Sequence, residues 1–208
     1  MTKQGWDVVD EATEPKKDIE WLKFPEGVTT IRVLEPPIRK VRHWIQSQMN
    51  NFDCIGADCP VCAINREEYQ NTGKNKYSKA DRFFMQVIVR DESRGDYLAI
   101  MDASKTLATD IRMLQAEVGD VSTFDIKVVR KGTKKDTTWN VIPQQISEMS
   151  EHDEELKKEM IDVKTLWEAP TREQWLMILD GVDPQEVFKT KISDSEVEED
   201  EEVDFTVE

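Results

Sequence analysis

One histidine and three cysteines fall within twenty residues of this chain: His43, Cys54, Cys59 and Cys62, spaced H-x10-C-x4-C-x2-C. They are all of its cysteines and one of its two histidines. A free cysteine is often a small buried hydrophobe, but independent core cysteines rarely gather this closely. A redox C-x-x-C needs neither Cys54 nor His43. Nothing near the N-terminus reads as a secretory signal, so a disulfide has no support from compartment. The pattern suits one structural Zn²⁺, which takes four thiolate or imidazole ligands in a closed tetrahedron. The Cys59-Pro60-Val61-Cys62 turn is the tight half of such a site. Cys54 and His43 complete it from a neighbouring loop and strand.

A catalytic zinc fits less well. Zinc deaminases use H-x-E followed by P-C-x-x-C, with the Glu moving protons. Here the residue two after His43 is Ile45, and the proline lies inside the cysteine pair as Pro60. There is no H-E-x-x-H. Four protein ligands leave no open coordination position for water. No paired-carboxylate motif stands out either, so the chain reads as a binding protein and not an enzyme.

Charge is divided unevenly along the chain. The formal net charge is -15, which at first argues against nucleic acid. Residues 1–20 carry 3 Lys/Arg against 6 Asp/Glu, residues 21–140 carry 19 against 16, and residues 141–208 carry 6 against 21. A mildly basic body is thus joined to a strongly acidic end. Residues 192–208 hold nine Asp/Glu and no Lys or Arg, a run that repels itself and is expected to stay disordered. Val203, Phe205 and Val207 alternate near its end. No run of eighteen apolar residues marks a membrane span.

Residues 1–20 are polar and mixed, and are expected to form a flexible arm. Thr29–Leu34 reads as a β-branched strand, and Ile38–Ile45 as a second extended stretch. Ala63–Gln70 suits a short helix, followed by a polar, Lys-rich loop to Lys79. Arg82–Arg90 and Tyr97–Met101 pair across the Arg94-Gly95-Asp96 turn. In Ala103–Glu117, Leu107, Ile111 and Leu114, with Val118, share one helical face. Phe124–Arg130 and Thr137–Ile142 form a hairpin closed by Pro143. Beyond it, Glu151–Ile161 and Thr171–Asp180 read as helices, the latter with a Thr171/Gln174 capping box.

The fold class expected is mainly β with added helices: an OB-fold, the five-stranded Greek-key barrel, with a zinc-binding insertion. Its organisation reads as a flexible arm (1–20), a zinc-containing OB domain (21–146), a small helical extension (147–190) and a disordered acidic tail (191–208).

Unpaired nucleic acid is bound by cations that follow the phosphates and by aromatic faces that stack on bases. The central segment interleaves the two. Arg39, Lys40 and Arg42 precede Trp44. Lys74, Lys76 and Lys79 surround Tyr77. Arg82 precedes Phe83 and Phe84, which point to opposite faces of their strand, so at most one of them, taken as Phe84, is expected to meet ligand. Arg130, Lys131, Lys134 and Lys135 lie just before Trp139.

His43, Cys54 and the run Asp58-Cys59-Pro60-Val61-Cys62 resemble the zinc site of the T-even-type bacteriophage single-stranded-DNA-binding proteins. The likeness extends to Thr30-Ile31-Arg32-Val33-Leu34, to Tyr77-Ser78-Lys79 leading into Phe84–Val89, to the Phe124–Arg130 hairpin and to the acidic C-terminus. It spans roughly residues 21–142 and the tail. The resemblance implies a zinc-bearing OB-fold with His43, Cys54, Cys59 and Cys62 as ligands. It implies sequence-independent coating of single-stranded DNA in phage replication, recombination and repair, in the cytoplasm of the infected bacterial host. It also implies that the tail, including Asp200, Glu201, Glu202, Asp204 and Phe205, shields the DNA groove and recruits a polymerase, helicase loader or recombinase. Weak self-association on DNA would accompany coating. The family's basic N-terminal arm has no counterpart, since residues 1–20 are net acidic. A competing expectation is a zinc-containing phage interaction protein, a DNA mimic whose acidic surface binds a host nucleic-acid enzyme. The mildly basic central segment separates the two, because a mimic has no need of it.

Overall fold

The computed structural model of the chain describes residues 20–133, 136–166 and 168–189. The expected arm (apart from Glu20) and the acidic tail lie outside them, as do Lys134 and Lys135. The described residues divide into two compact units, one drawn from Met1–Arg42 and Lys79–Glu168, the other from His43–Ser78 and Ala169–Glu208. The segment read as a helical extension is therefore shared between the two.

The protein is mainly β-sheet with several helices. Its strands are β1 (Trp21–Leu22), β2 (Gly27–Val33), β3 (Ile38–Ile45), β4 (Asn50–Asp53), β5 (Ser78–Arg90), β6 (Tyr97–Ser104), β7 (Phe124–Lys131) and β8 (Thr138–Ile146). They form a mixed sheet in the order β1-β6-β5-β2-β7-β8, with β3 pairing to β5 and to β4. The β1–β6 pair is parallel; β2–β5, β2–β7, β5–β6 and β7–β8 are antiparallel. Among the described residues the sheet path is open, ending at β1 and β8.

In the first unit, strand periodicity sorts side chains onto two faces. One face presents Ile31 and Val33 from β2, Met85, Val87 and Val89 from β5, Ala99, Met101 and Ala103 from β6, and Ile126 and Val128 from β7. Helix α2 (Lys105–Val118) covers this face with Leu107, Ile111 and Leu114. Its first turn is capped by Ser104, whose Oγ accepts the Leu107 N–H at 3.3 Å. Val118, expected on the same face, ends the helix 41% exposed.

The opposite face of β5 and β6 is also covered. Phe84 and Ile100 pack with Val163, and Ile38, Ile161 and Leu166 close around them. Gln86 fastens this cover: its amide nitrogen donates to the Ile161 carbonyl at 2.8 Å, and its amide oxygen accepts the Ile161 N–H at 2.9 Å. These bonds draw the chain away from helical geometry, so α3 spans Glu151–Lys158 and stops short of the expected Ile161. Strand β8 likewise departs from expectation. It runs through Pro143, opposite Ile126, to Ile146. Proline is tolerated there because β8 ends the sheet path and the β7–β8 register shifts nearby.

Arg32 of β2 and Arg90 of β5 centre a partly buried ionic cluster. Arg32 is 1% exposed, and its Nε meets Asp125 at 2.7 Å. Arg90 bonds Asp125 at 2.9 Å, Asp96 at 2.7 Å and Asp153 at 2.5 Å. Asp153 also accepts the Ser150 N–H at 3.1 Å, completing the capping box that starts α3.

In the second unit, α1 (Pro60–Thr72) begins at a proline, whose fixed φ suits a first helical position. It ends at Gly73, in the left-handed conformation at φ 72°. Helices α4 (Arg172–Leu179) and α5 (Pro184–Lys189) complete the unit. Thr171 and Gln174 form the expected capping box. Ile45, Phe52, Cys59, Val61, Trp175, Ile178 and Val187 make its core.

Candidate metal centre

The second unit brings the four motif residues together from three local structures. His43 lies near the end of β3, Cys54 directly after β4, Cys59 at the N-cap of α1, and Cys62 in its first turn. The H-x10-C spacing is what lets β3 and β4 pair and still present both residues to one point. Gly56, at φ 80°, opens the 3₁₀ turn Gly56–Asp58 that returns the chain from Cys54 to Cys59.

One ligand atom from each of the four lies within 4.8 Å of the other three. Cys54 Sγ is 3.5 Å from Cys62 Sγ, which is 3.4 Å from His43 Nε2. All three thiols are free. A tetrahedral ion with sulfur bonds of about 2.3 Å and a nitrogen bond of about 2.0 Å sets ligand atoms ~3.8 Å (S···S) and ~3.5 Å (S···N) apart. The donors therefore fit a four-coordinate metal site.

Electrostatics point the same way. Burial, the Cys54 hydrogen bond and the sulfurs of Cys59 and Cys54 push the Cys62 thiol up to about 12. Crowded thiols resist ionising beside one another, and a cation among them reverses that cost. Cys59 and Cys62 sit at the positive N-terminal end of α1. The Gly56 N–H donates to Cys54 Sγ at 3.4 Å. His43 is fully buried, and the Trp175 indole meets its ring edge-on. Trp175 is itself fully buried and donates its N–H to the Asp53 carbonyl at 3.2 Å. The sequence marks Trp175 only as part of an amphipathic stripe; nothing in its spacing links it to His43, 132 positions away.

The basic and aromatic positions separate into several environments. Lys74 and Lys76 are exposed in the second unit, with Lys76 over the half-buried Tyr77 ring at 5.5 Å. Trp44 is half-buried there and bonds Gln46 at 3.0 Å. In the first unit, Lys79 and Lys131 are exposed, while Lys40 and Arg42 are half-buried. Arg39 is paired with Asp81 at 2.7 Å and Arg82 with Asp102 at 2.7 Å. Arg130 donates to the Phe24 carbonyl at 2.6 Å, and Trp139 packs edge-on against the Phe24 ring. Phe84 departs from the sequence reading: it is 1% exposed, because the Ile161–Leu166 segment covers its side of β5. Its ring is a core element with no face available to a ligand.

Among the described residues, no helix is long and apolar enough to cross a membrane. No protein-family model, curated protein or solved structure matches this chain.

Proposed function

We propose that the protein coats single-stranded DNA without sequence preference, through an OB-fold whose metal-bearing insertion is held by one structural Zn²⁺. The observation that carries this reading is the relation between strand order and loop content. Numbered in chain order, β2, β5, β6 and β7 are strands one to four, and across the sheet they lie as β7-β2-β5-β6, that is four, one, two, three, which is the Greek-key order. Helix α2 separates the third of these strands from the fourth, and β8 adds a fifth. In an OB-fold, oligonucleotides run along the second and third strands and the loops joining strands one to two and four to five. The first of those connections, residues 34–77, contains the metal motif, Trp44, Tyr77, Lys74 and Lys76. The second runs from Lys131, the last residue of β7, to β8, which contains Trp139.

Exposed lysines beside aromatic rings suit phosphate contact with stacking. Zinc suits a donor set of three sulfurs and one imidazole, of which His43 and Cys59 are buried and Cys54 and Cys62 half-buried. The likeness to the T-even-type phage proteins supports a role in phage replication, recombination and repair within the host cytoplasm. On this reading the acidic tail competes with DNA for the cationic surface, and DNA frees it to recruit replication and recombination proteins.

The test is a titration of the metal-analysed protein with oligo-dT and with a duplex of equal length. Tight binding to oligo-dT, weaker binding to duplex and one zinc per chain support the proposal. Metal-free folded protein that ignores oligo-dT in dilute buffer refutes it.

A further inference from the structure

A hollow of about 480 Å³ in the first unit, lined by Glu20, Trp21, Lys23, Arg94 and Tyr97, lies apart from every position assigned above. Its volume is within the range of small-ligand sites. β1 supplies Trp21, and the β5–β6 turn supplies Arg94, with Tyr97 opening β6. The Arg94 guanidinium carbon sits 3.4 Å from the Tyr97 ring centroid, close enough to stack. Arg94 is fixed there by Glu20 at 2.5 Å and Asp91 at 3.4 Å. Trp21 is 41% exposed and is braced from behind, its ring edge-on to Phe84 at 6.1 Å. The hollow thus offers a large exposed indole, a guanidinium already held over a ring, and a lysine at its margin.

The local charges select among ligands. Glu20 and Asp91 offset Arg94, so the hollow has little net attraction for a free phosphate. Flat π-surfaces and a guanidinium plane are what unstacked bases dock against. Lys23 is exposed and offers one phosphate contact at the rim. We infer that this hollow is a base-stacking subsite for one nucleotide of a single strand, at the β5–β6 hairpin tip. The subsite rests on the single-strand-binding reading and extends it along the second and third strands of the Greek key.

The experiment uses the full chain and oligo-dT carrying 5-iodouracil, irradiated and digested, with the crosslinked peptide identified by mass spectrometry. Oligo-dT affinity is measured in parallel for Trp21→Ala and Trp21→Phe, with a melting curve for each. The expected result is a crosslink at Trp21 or Tyr97 in the unaltered protein. Affinity should fall about 5- to 150-fold in Trp21→Ala, the equivalent of about 1–3 kcal/mol for one stacked base, and Trp21→Phe should recover most of it. Bound oligonucleotide that crosslinks only elsewhere overturns the subsite and leaves the function standing. So does unchanged affinity in a Trp21→Ala protein that melts normally. Absence of any oligonucleotide binding overturns both. Should Trp21→Ala not fold, the crosslink in the unaltered protein decides alone.

Discussion

The Trp175 indole stands edge-on to the His43 imidazole, with ring centroids 6.0 Å apart and ring planes at 76°. A third ring, Phe52, meets the same indole at 5.6 Å. The candidate ligand from β3 is therefore oriented by a residue of α4, whose indole forms the back wall of the His43 side of the cluster. Replacing Trp175 with alanine empties a fully buried volume and should cost about 3–5 kcal/mol in urea unfolding. It should also speed zinc loss to a chelator, because the imidazole is free to turn. Loss of stability with an unchanged zinc off-rate would show that the indole only fills space.

Cys59 is both a candidate metal ligand and the N-cap of α1, and on the proposed reading it carries two tasks. Cys59→Ser should reduce zinc from about one ion per chain to near none, because hydroxyl is a poor substitute for thiolate. Structural metal binding is coupled to folding, so hydrogen exchange should rise across residues 43–78 and 169–189. It should rise much less in β2, β5 and β6, whose core contains none of the ligands. Uniform loss of protection over both units would contradict a local staple.

The clustering of His43 with Cys54, Cys59 and Cys62 was legible because spacing alone restricts what three cysteines and a histidine can do. Strands β2, β5 and β7 were legible from their β-branched and aromatic content. Phe84 was not. Residues Phe84–Val89 are all buried, so alternation, the signal that separates a covered face from a wet one, is absent from the strand. What covers the second face is the Ile161–Leu166 segment, 75 residues on from Gln86 where it is bonded. The Arg32–Asp125 and Arg90–Asp153 pairs were equally hidden, being 93 and 63 positions apart. An arginine between Ile31 and Val33 reads as a solvated position until the opposite face is known to be closed. Pro143 misled for a related reason, because a proline ends a central strand but not one at the margin of a sheet.

Asp153 links acid stability to this ionic cluster. Burial by itself pushes its carboxyl up, but the Arg90 hydrogen bond, the Ser150 N–H and the charges of Arg90 and Arg32 outweigh burial and hold it below the usual 3.8. A carboxyl depressed in the folded state stabilises above its unfolded value and stops doing so as pH falls through the folded one. Unfolding free energy should thus be level near neutrality and decline below about pH 4. Asp153→Asn removes one counter-charge from the buried Arg32 and the partly buried Arg90; because Asp125 still faces both, it should cost less at pH 7 than the about 3–5 kcal/mol of an uncompensated buried charge. The variant should also show a shallower acid limb. An acid limb identical to that of the parent would place the titration on other carboxylates.

Salt dependence separates phosphate contacts from stacking. For single strands, log K falls with log salt at a slope of about -0.7 for each phosphate neutralised. Lys74, Lys76, Lys79 and Lys131 are exposed, so each alanine substitution that removes a contact should reduce the slope by about 0.7. Replacing Tyr77, the ring beneath Lys76, should weaken binding and leave the slope nearly unchanged. Deleting residues 192–208 removes nine carboxylates from the acidic end and should tighten oligo-dT binding most at low salt, where a charged competitor is strongest. Unchanged low-salt affinity after the deletion excludes competition by the tail. Unchanged slopes in all four lysine variants would place the DNA on another surface altogether.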